Sequence, residues 1–233
     1  DEMANFYGGA DPAFGDINGD GLLDLIVGST QIVRGDSIET KSISLLLNTG
    51  TVEDPQFTLT DDDFLGFSKN GVNSERFAPD FGDLDNDGDQ DLLVGDSSGK
   101  VFFFENTAGA NKPMAFAAPV YPYANFFETQ NAKPHITDLD DDGLSDIIMG
   151  KLNNSLIFYK NIGTTGNPKF NPNPAVFPNN KQTGNIYSVY DRKTQNGSPF
   201  LIKSAGKRLL LLGTDDAGIK TYDHIEDNIY KDF

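Results

Sequence analysis

The sequence predicts an all-β chain in which a unit of about four short strands is repeated. An acidic segment containing glycine occurs three times, at 16–24, 83–91 and 138–146, and a run of aliphatic residues follows each copy at once. Short β-branched and aromatic runs, separated by Gly, Asn and Pro, make up much of the rest, and no stretch has a helical period. Repeated units of this kind are typical of the blades of a β-propeller.

The repeated units share one order of parts. Each begins with a proline-containing segment, continues through the acidic loop and its aliphatic run, and then reaches a second apolar run that closes on Asn. A Pro-x-Phe or Pro-x-x-Phe element ends the unit. Proline is tolerated at the start of a strand, where no hydrogen bond needs to be donated. The predicted blades cover residues 10–60, 76–128, 132–178 and 196–233 of one β-propeller domain spanning 1–233.

The fourth unit lacks the acidic loop. The distance from the proline of a unit to the glycine that ends its second strand is 16 positions in the first three units. It is 14 in the fourth, from Pro199 to Gly213, and the segment 204–207 has the composition of an ordinary hairpin turn. We therefore expect the fourth unit to fold without an ion. Four blades could close a small ring or form part of a larger propeller, and the sequence leaves both arrangements open.

The first unit contains an enlarged turn at 29–42. Loops that bulge from one repeat of an array often carry recognition, so this segment is a candidate contact surface. It includes Arg34-Gly35-Asp36, which matches an integrin-binding tripeptide. A match of three residues arises easily by chance, and Gly-Asp is common in turns, so we interpret the triplet as turn chemistry.

The charge of the chain is concentrated in the three acidic loops. The net charge is −17, and the loops contain 13 of the 35 acidic residues and no Lys or Arg. Nucleic acid is a poor partner for such a chain, because phosphates require clustered basic residues. The chain contains no Cys, which excludes disulfides and thiol chemistry. Its apolar runs are too short for a membrane span, so we expect no direct membrane insertion.

The acidic loops have the ligand spacing of a calcium site. Oxygen-bearing side chains occur at positions 1, 3, 5 and 9, a main-chain carbonyl is available at position 7, and glycine at position 6 permits a sharp reversal. The predicted side-chain ligands are Asp16, Asn18, Asp20 and Asp24 in loop one, Asp83, Asp85, Asp87 and Asp91 in loop two, and Asp138, Asp140, Asp142 and Asp146 in loop three. The predicted carbonyl ligands belong to Leu22, Asp89 and Leu144.

Three bound Ca²⁺ ions are therefore expected, one in each loop. Hard oxygen donors in this number suit calcium, whereas zinc would require His or Cys. An EF-hand is excluded because its bidentate Glu at position 12 is replaced by Val27, Val94 and Met149, and no amphipathic helix flanks the loops. Clusters of Asp, Asn and Gly also form turns without an ion. Three copies with the same spacing favour the metal site.

The string D-x-[DN]-x-D-G-x-x-D followed by an aliphatic run and glycine resembles the FG-GAP/VCBS repeat family, and the trailing N-x-G and Pro-x-Phe elements resemble its bacterial VCBS-type subgroup. The resemblance implies a calcium-stabilised propeller that is extracellular or at the cell surface. It also implies an exported bacterial protein that serves adhesion or assembly through a protein partner. Two departures are Asn18, which replaces an acid, and the fourth unit without its loop.

A binding module is the leading functional prediction, and we expect no enzymatic activity. His135 and His224 are the only histidines, and there is no Gly-x-Ser-x-Gly motif. His135 occupies the position of Ala13, Asp80 and Phe200 in the other units, where we interpret it as a solvated or hydrogen-bonded residue rather than a base. One alternative is a subunit of a bacterial envelope export or surface-motility complex, located at the periplasmic face. The other is a carbohydrate-binding module, or the non-catalytic part of a polysaccharide-acting enzyme.

Overall fold

A computed structural model describes the chain as an assembly of antiparallel β-sheets with one short 3₁₀ turn at Phe64–Gly66. In the described part of the chain, no helix is long and apolar enough to cross a membrane. The described residues are 5–7, 9–34, 37–67, 74–124, 126, 130–150, 152, 156–170, 197–204, 207–214 and 218–223.

The first sheet has five strands and includes the enlarged turn of unit one. Within it, β3 pairs with both β2 and β1, and β4 lies between β3 and β5. Its strands are β1 (Asn5–Tyr7), β2 (Asp11–Gly15), β3 (Asp24–Arg34), β4 (Ser37–Asn48) and β5 (Phe57–Asp61).

The enlarged turn differs from the loop expected at 29–42. It continues the β3–β4 ladder as a long hairpin that stays paired to Arg34 and Ser37. Alternating Ile, Val, Thr and Ser residues favour a strand, which explains why the ladder continues. The Gly35-Asp36 part of the tripeptide lies outside the described residues.

Three further sheets follow in chain order, one for each remaining unit, and each has three strands. In all four units the proline of the first strand lies opposite the third residue of the aliphatic run or its equivalent, as in Pro79↔Val94 and Pro134↔Met149. The strands are β6 (Ala78–Gly82), β7 (Asp91–Gly95), β8 (Val101–Phe104), β9 (Lys133–Thr137), β10 (Asp146–Gly150), β11 (Leu156–Tyr159), β12 (Ser198–Ser204), β13 (Lys207–Thr214) and β14 (Gly218–Asp223).

Among the described residues, the outer strand is a regular strand in unit one. In units two and three it is reduced, within the described residues, to isolated bridges such as Phe103↔Val120 and Asn161↔Phe170. Prolines interrupt this region of unit two at 113, 119 and 122, and proline cannot donate to a ladder. The fourth strand predicted for each unit is therefore present as a segment but is not a continuous strand in these two units.

Consecutive units share their hydrophobic cores. Leu92 and Val94 of β7 pack in a cluster with unit one, whereas Leu93, between them, packs in a cluster with unit three. A third cluster joins units three and four. A middle strand that is buried on both faces has a continuous apolar run in its sequence. Each fully buried aliphatic side chain stabilises the fold by about 1.5–3 kcal/mol. Face-to-face packing of successive sheets is the arrangement of propeller blades.

The aromatic residues of the linkers contribute to these cores. Phe67 and Phe126 are fully buried, and Tyr121 and Tyr123 are partly buried against the same clusters. Phe127 lies outside the described residues.

The glycine that ends each second strand is the closest point between units. A Cβ on Gly28, Gly95 or Gly150 would lie 1.8, 2.0 or 1.9 Å from a backbone oxygen of the next unit. At Gly213, in unit four, the nearest atoms among the described residues belong to Ser198 of the same unit, at 3.8 Å. At the repeated glycine of the first three units, the backbone of the following unit therefore packs directly against the strand end, and a side chain there would prevent this contact. We call this glycine the seat of the following unit.

Candidate metal centre

The three acidic loops have the same backbone course. Glycine at position 6 has a positive φ in every loop, with values of 86° at Gly21, 102° at Gly88 and 86° at Gly143. Position 4 is also left-handed, with φ of 62° at Asn86 and 60° at Asp141. Such conformations favour glycine and are tolerated by Asn and Asp. The loop sequence therefore specifies two reversals that turn the side chains of positions 1, 3 and 5 inward.

The side chains at positions 1 and 5 hold the loop backbone. Asp83 accepts hydrogen bonds from the amides of Asp87 at 3.0 Å and Gly88 at 3.0 Å, and Asp16 is bonded in the same way in loop one. The position-5 carboxylate accepts from the amide of position 7, for example Asp142 from Leu144 at 3.0 Å. The same bond links Asp20 to Leu22 and Asp87 to Asp89.

The aspartate at position 9 joins three parts of each unit. The Oδ2 of Asp91 accepts from the amide of Leu84 at 3.0 Å, and its Oδ1 accepts from the amide of Asn106 at 2.9 Å. Asp24 and Asp146 make the equivalent pair of bonds. All three carboxylates are buried. Position 9 therefore fastens the loop to the end of the third strand and also contributes to the candidate ion site.

Sequence reasoning missed the role of the Asn that closes the third strand. The Oδ1 of Asn106 accepts from the amides of Ala108 at 3.2 Å and Ala115 at 3.0 Å. Asn48 and Asn161 accept from two amides in the same pattern. The signal was present, because each of the first three units has an Asn at this point. These Asn side chains connect the loop aspartate to the Pro-x-Phe segment.

Two of the loops gather three carboxylates at metal-binding distance. Side-chain oxygens of Asp83, Asp85 and Asp91 lie within 4.8 Å of one another in loop two. The equivalent oxygens of Asp138, Asp140 and Asp146 do so in loop three. Loop one has an amide at position 3 and does not form such a carboxylate group; there Asn18 donates to Asp20 at 2.8 Å and accepts from its amide at 3.0 Å.

The donor set fits a hard divalent cation. The Oδ1 of Asp138 is buried and has no hydrogen-bond partner within the described chain. Burial raises the pKa of Asp91 to about 7 and that of Asp146 to about 7, in each case against the opposing effect of two backbone hydrogen bonds. Burial and then the neighbouring Asp87 raise the pKa of Asp85. A cation among these oxygens would relieve both desolvation and repulsion.

Loop two and loop three differ in the charges around them. In the described part of the chain, no Lys or Arg forms an ion pair with the carboxylates of loop two. In loop three, Lys160 bonds to Asp140 and lies 2.7 Å from Asp142. Hydrogen bonds to these carboxylates raise the pKa of Lys160, although burial opposes the charged form. The hydrogen bond from Lys160 also lowers the pKa of Asp142.

Unit four adds two further cations to loop three. Lys203 lies 2.8 Å from Asp141 and bonds to the carbonyl of Asp138, and Arg208 pairs with Asp141. The hydrogen bonds from Lys203 and Arg208 lower the pKa of Asp141. Unit four, which has no acidic loop of its own, is thus bonded to loop three of the neighbouring unit.

His135 is a buried connection between three units. Its Nδ1 lies 3.3 Å from Asp80 in unit two, and its Nε2 accepts from the amide of Leu201 in unit four at 2.9 Å. Asp80 also accepts from the amide of Ile136 at 2.7 Å. Because Nε2 is an acceptor, the proton of the neutral ring is on Nδ1 and is donated to Asp80. The hydrogen-bonded interpretation of His135 is therefore the one that agrees with the structure.

A polar cavity of about 260 Å³ lies beside loop two. Asp16 of loop one, Asn106 and Lys112 contribute to its wall, together with Asp89. Asp89 is buried, its Oδ2 accepts from the amide of Gly109 at 2.7 Å, and its Oδ1 has no hydrogen-bond partner among the described residues.

Comparison with known proteins supports the family resemblance. Residues 8–32 match the FG-GAP repeat family. The chain is also 27% identical over 161 residues to integrin alpha-6 of Homo sapiens. That match covers 65% of this chain but only 13% of the length of the human protein.

Proposed function

We propose that this chain is a calcium-stabilised β-propeller module of the FG-GAP type that binds a protein partner outside the cell; the FG-GAP match at residues 8–32 and the similarity to integrin alpha-6 support this. The FG-GAP repeat and the similarity to an integrin alpha subunit support an interaction module in general terms. The calcium ions, the extracellular location and the identity of the partner go beyond those comparisons. Bacterial origin and export remain predictions from the resemblance to the bacterial VCBS-type subgroup.

The observation that carries the calcium proposal is the carboxylate group of loop two. Asp83, Asp85 and Asp91 bring oxygens within 4.8 Å of one another with no basic side chain paired to them in the described chain. Calcium would supply the positive charge that this group lacks. Asp91 would connect the ion to the amides of Leu84 and Asn106, so binding would stabilise the loop and the third strand together.

The size of this stabilisation follows from mass action. Extracellular modules bind calcium with dissociation constants of about 10⁻⁴–10⁻³ M. At roughly millimolar calcium, each filled site then stabilises the folded state by about 1 kcal/mol. For a chain of this length, that corresponds to a rise in melting temperature of about 2–4 °C per site.

Thermal unfolding in calcium and in chelator tests this proposal. We expect a higher melting temperature in calcium and a smaller increase in Asp85→Asn, which removes one charge from the loop-two group. Asp54→Asn is the matched control, because Asp54 is exposed and lies outside the three loops. A melting curve that is identical in calcium and chelator would contradict the proposal.

The protein-binding part of the proposal is supported by the β3–β4 hairpin, which is longer than the equivalent hairpins described in the other units. It extends the first sheet beyond the register of its neighbours, with pairs continuing from Gly28↔Ile43 to Arg34↔Ser37. Co-purification in calcium, followed by binding assays with the purified partner, tests this role. We expect binding to weaken when the hairpin is shortened to the turn length of unit two, while the melting temperature stays within a few degrees.

A carbohydrate ligand is the second candidate, and the cavity beside loop two favours it. Asp89 and Asn106 offer hydrogen-bonding groups suited to sugar hydroxyls. A glycan array separates this candidate from protein binding. We propose a non-catalytic role in either case, and assays for hydrolysis or lyase activity on the bound glycan would contradict it if turnover were observed.

A further inference from the structure

Loop three contains a cation supplied by the chain itself. Lys160 follows β11 and directly precedes Asn161, the residue fastened to Asp146. Its Nζ bonds to the Oδ2 of Asp140 and lies 2.7 Å from the Oδ2 of Asp142. Asp140 is also one of the three carboxylates gathered in loop three. The ammonium group is therefore bonded to oxygens that a calcium ion would need.

The equivalent position carries no positive charge in the other units. It is Leu47 in unit one and Glu105 in unit two, each directly before the Asn that closes the third strand. Lysine has a compact charge on a flexible stem, so its Nζ can both occupy such a position and leave it. An ammonium and a calcium ion compete for the same oxygen lone pairs.

The contacts from unit four act in the same direction. Lys203 and Arg208 place two more positive charges on Asp141, within loop three. Lys203 also binds the carbonyl oxygen of Asp138, the first residue of the loop. Nearby positive charge reduces the attraction of a divalent cation to the remaining carboxylates.

We propose that Lys160 is an intramolecular competitor of calcium at loop three. Loop two fills before loop three, and loop three fills only when Lys160 is displaced from Asp140 and Asp142. The inference rests on the proposed calcium function and adds an order of filling to it. It also means that loop three keeps its backbone course in the absence of calcium, because Lys160 already balances part of its charge.

Calcium titration of the complete chain tests the competition. In Lys160→Gln we expect isothermal titration calorimetry to show about fivefold tighter binding at one site, since loss of one ion pair is worth roughly 1 kcal/mol. In chelator, the same variant should melt at a lower temperature than the wild type, and saturating calcium should remove or reverse that difference. Lys169→Gln is the matched control: it makes the same charge change in unit three at an exposed side chain.

The wild-type chain provides a second measurement that does not depend on a variant. The amides of Gly88 and Gly143 each donate to the position-1 carboxylate of their loop, and their NMR resonances report its occupancy. We expect the Gly143 resonance to shift at a higher calcium concentration than that of Gly88.

Two outcomes would overturn the inference in distinguishable ways. Equal midpoints for Gly88 and Gly143, with unchanged affinity in Lys160→Gln, would remove the competition and leave calcium binding intact. Absence of calcium binding in the wild type and in Lys160→Gln would remove the competition together with the proposed function.

Discussion

Loop two and loop three have the same ligand spacing but different electrostatic surroundings. Both gather three carboxylates and both fasten position 9 to two backbone amides. Loop two has Glu105 nearby, and Coulomb repulsion from Glu105 contributes to the raised pKa of Asp85. Loop three is paired with Lys160. The local sequence thus determines the course of the loop, whereas residues outside the loop determine whether a basic side chain pairs with its carboxylates.

The largest expected effect tests what the two loops share. Asp91→Ala and Asp146→Ala each remove a buried carboxylate and leave two amides without an acceptor. We expect each variant to lose about 2–5 kcal/mol of unfolding free energy in chelator, since each unsatisfied buried group costs about 1–3 kcal/mol. Urea denaturation measures this loss. A loss at Asp91 alone would mean that the two loops are not fastened alike.

The second prediction concerns the support beneath the loops. In Gly95→Ala and Gly150→Ala the new methyl group would lie 2.0 and 1.9 Å from a backbone oxygen of the next unit. We expect each to lose about 2–3 kcal/mol of unfolding free energy, the upper part of the usual range of about 1–3 kcal/mol for overpacking, because the methyl group would meet backbone atoms. Gly213→Ala is the internal control, because no atom of the described residues would lie closer than 3.8 Å, and it should change stability by less than about 0.5 kcal/mol. Equal losses at Gly95 and Gly213 would refute the role of this glycine as a seat.

The third prediction gives loop two the surroundings of loop three. Glu105→Lys introduces an ammonium at the position of Lys160, and we expect calcium to bind loop two about tenfold more weakly. Calorimetry and the calcium-induced rise in melting temperature measure the change. Glu53→Lys, at an exposed position outside the loops, should leave calcium affinity within about twofold. An affinity in Glu105→Lys that matches this control would argue against the competition model.

The smallest effect concerns a contact between the two loops. The Nδ2 of Asn86 donates to the carbonyl of Gly143 at 3.0 Å, and its Oδ1 accepts from the amide of Ser145 at 3.2 Å. Asn86→Gly keeps the left-handed backbone and removes both bonds, so we expect a loss of about 1 kcal/mol in urea denaturation. If Asn86 couples the two loops, calcium binding at loop two should shift the Gly143 amide resonance, and this shift should be smaller in the variant.

The local parts of this molecule were predictable because they repeat. Glycine at position 6, the carboxylates of positions 1 and 9 and the aliphatic strand all follow from residues within one loop. Residues brought from a distance were not predictable, since Lys203 and Arg208 reach Asp141 across more than sixty positions and have no counterpart in the other units. The hairpin at 29–42 was interpreted as a loop because its length differs from that of the other units, although its alternating composition favoured strands.

The contact at the repeated glycine is the same at each boundary between successive units. One unit provides the glycine, and the backbone just before the proline of its successor rests on it, as Gly95 meets Ala132 and Pro134. A tandem duplication of unit two would therefore carry both halves of the contact with it, because Phe77 and Pro79 meet Gly28 and Gly95 meets Ala132 and Pro134. The array can lengthen when a segment of the gene is copied, because the new unit already has surfaces that pack against its two neighbours.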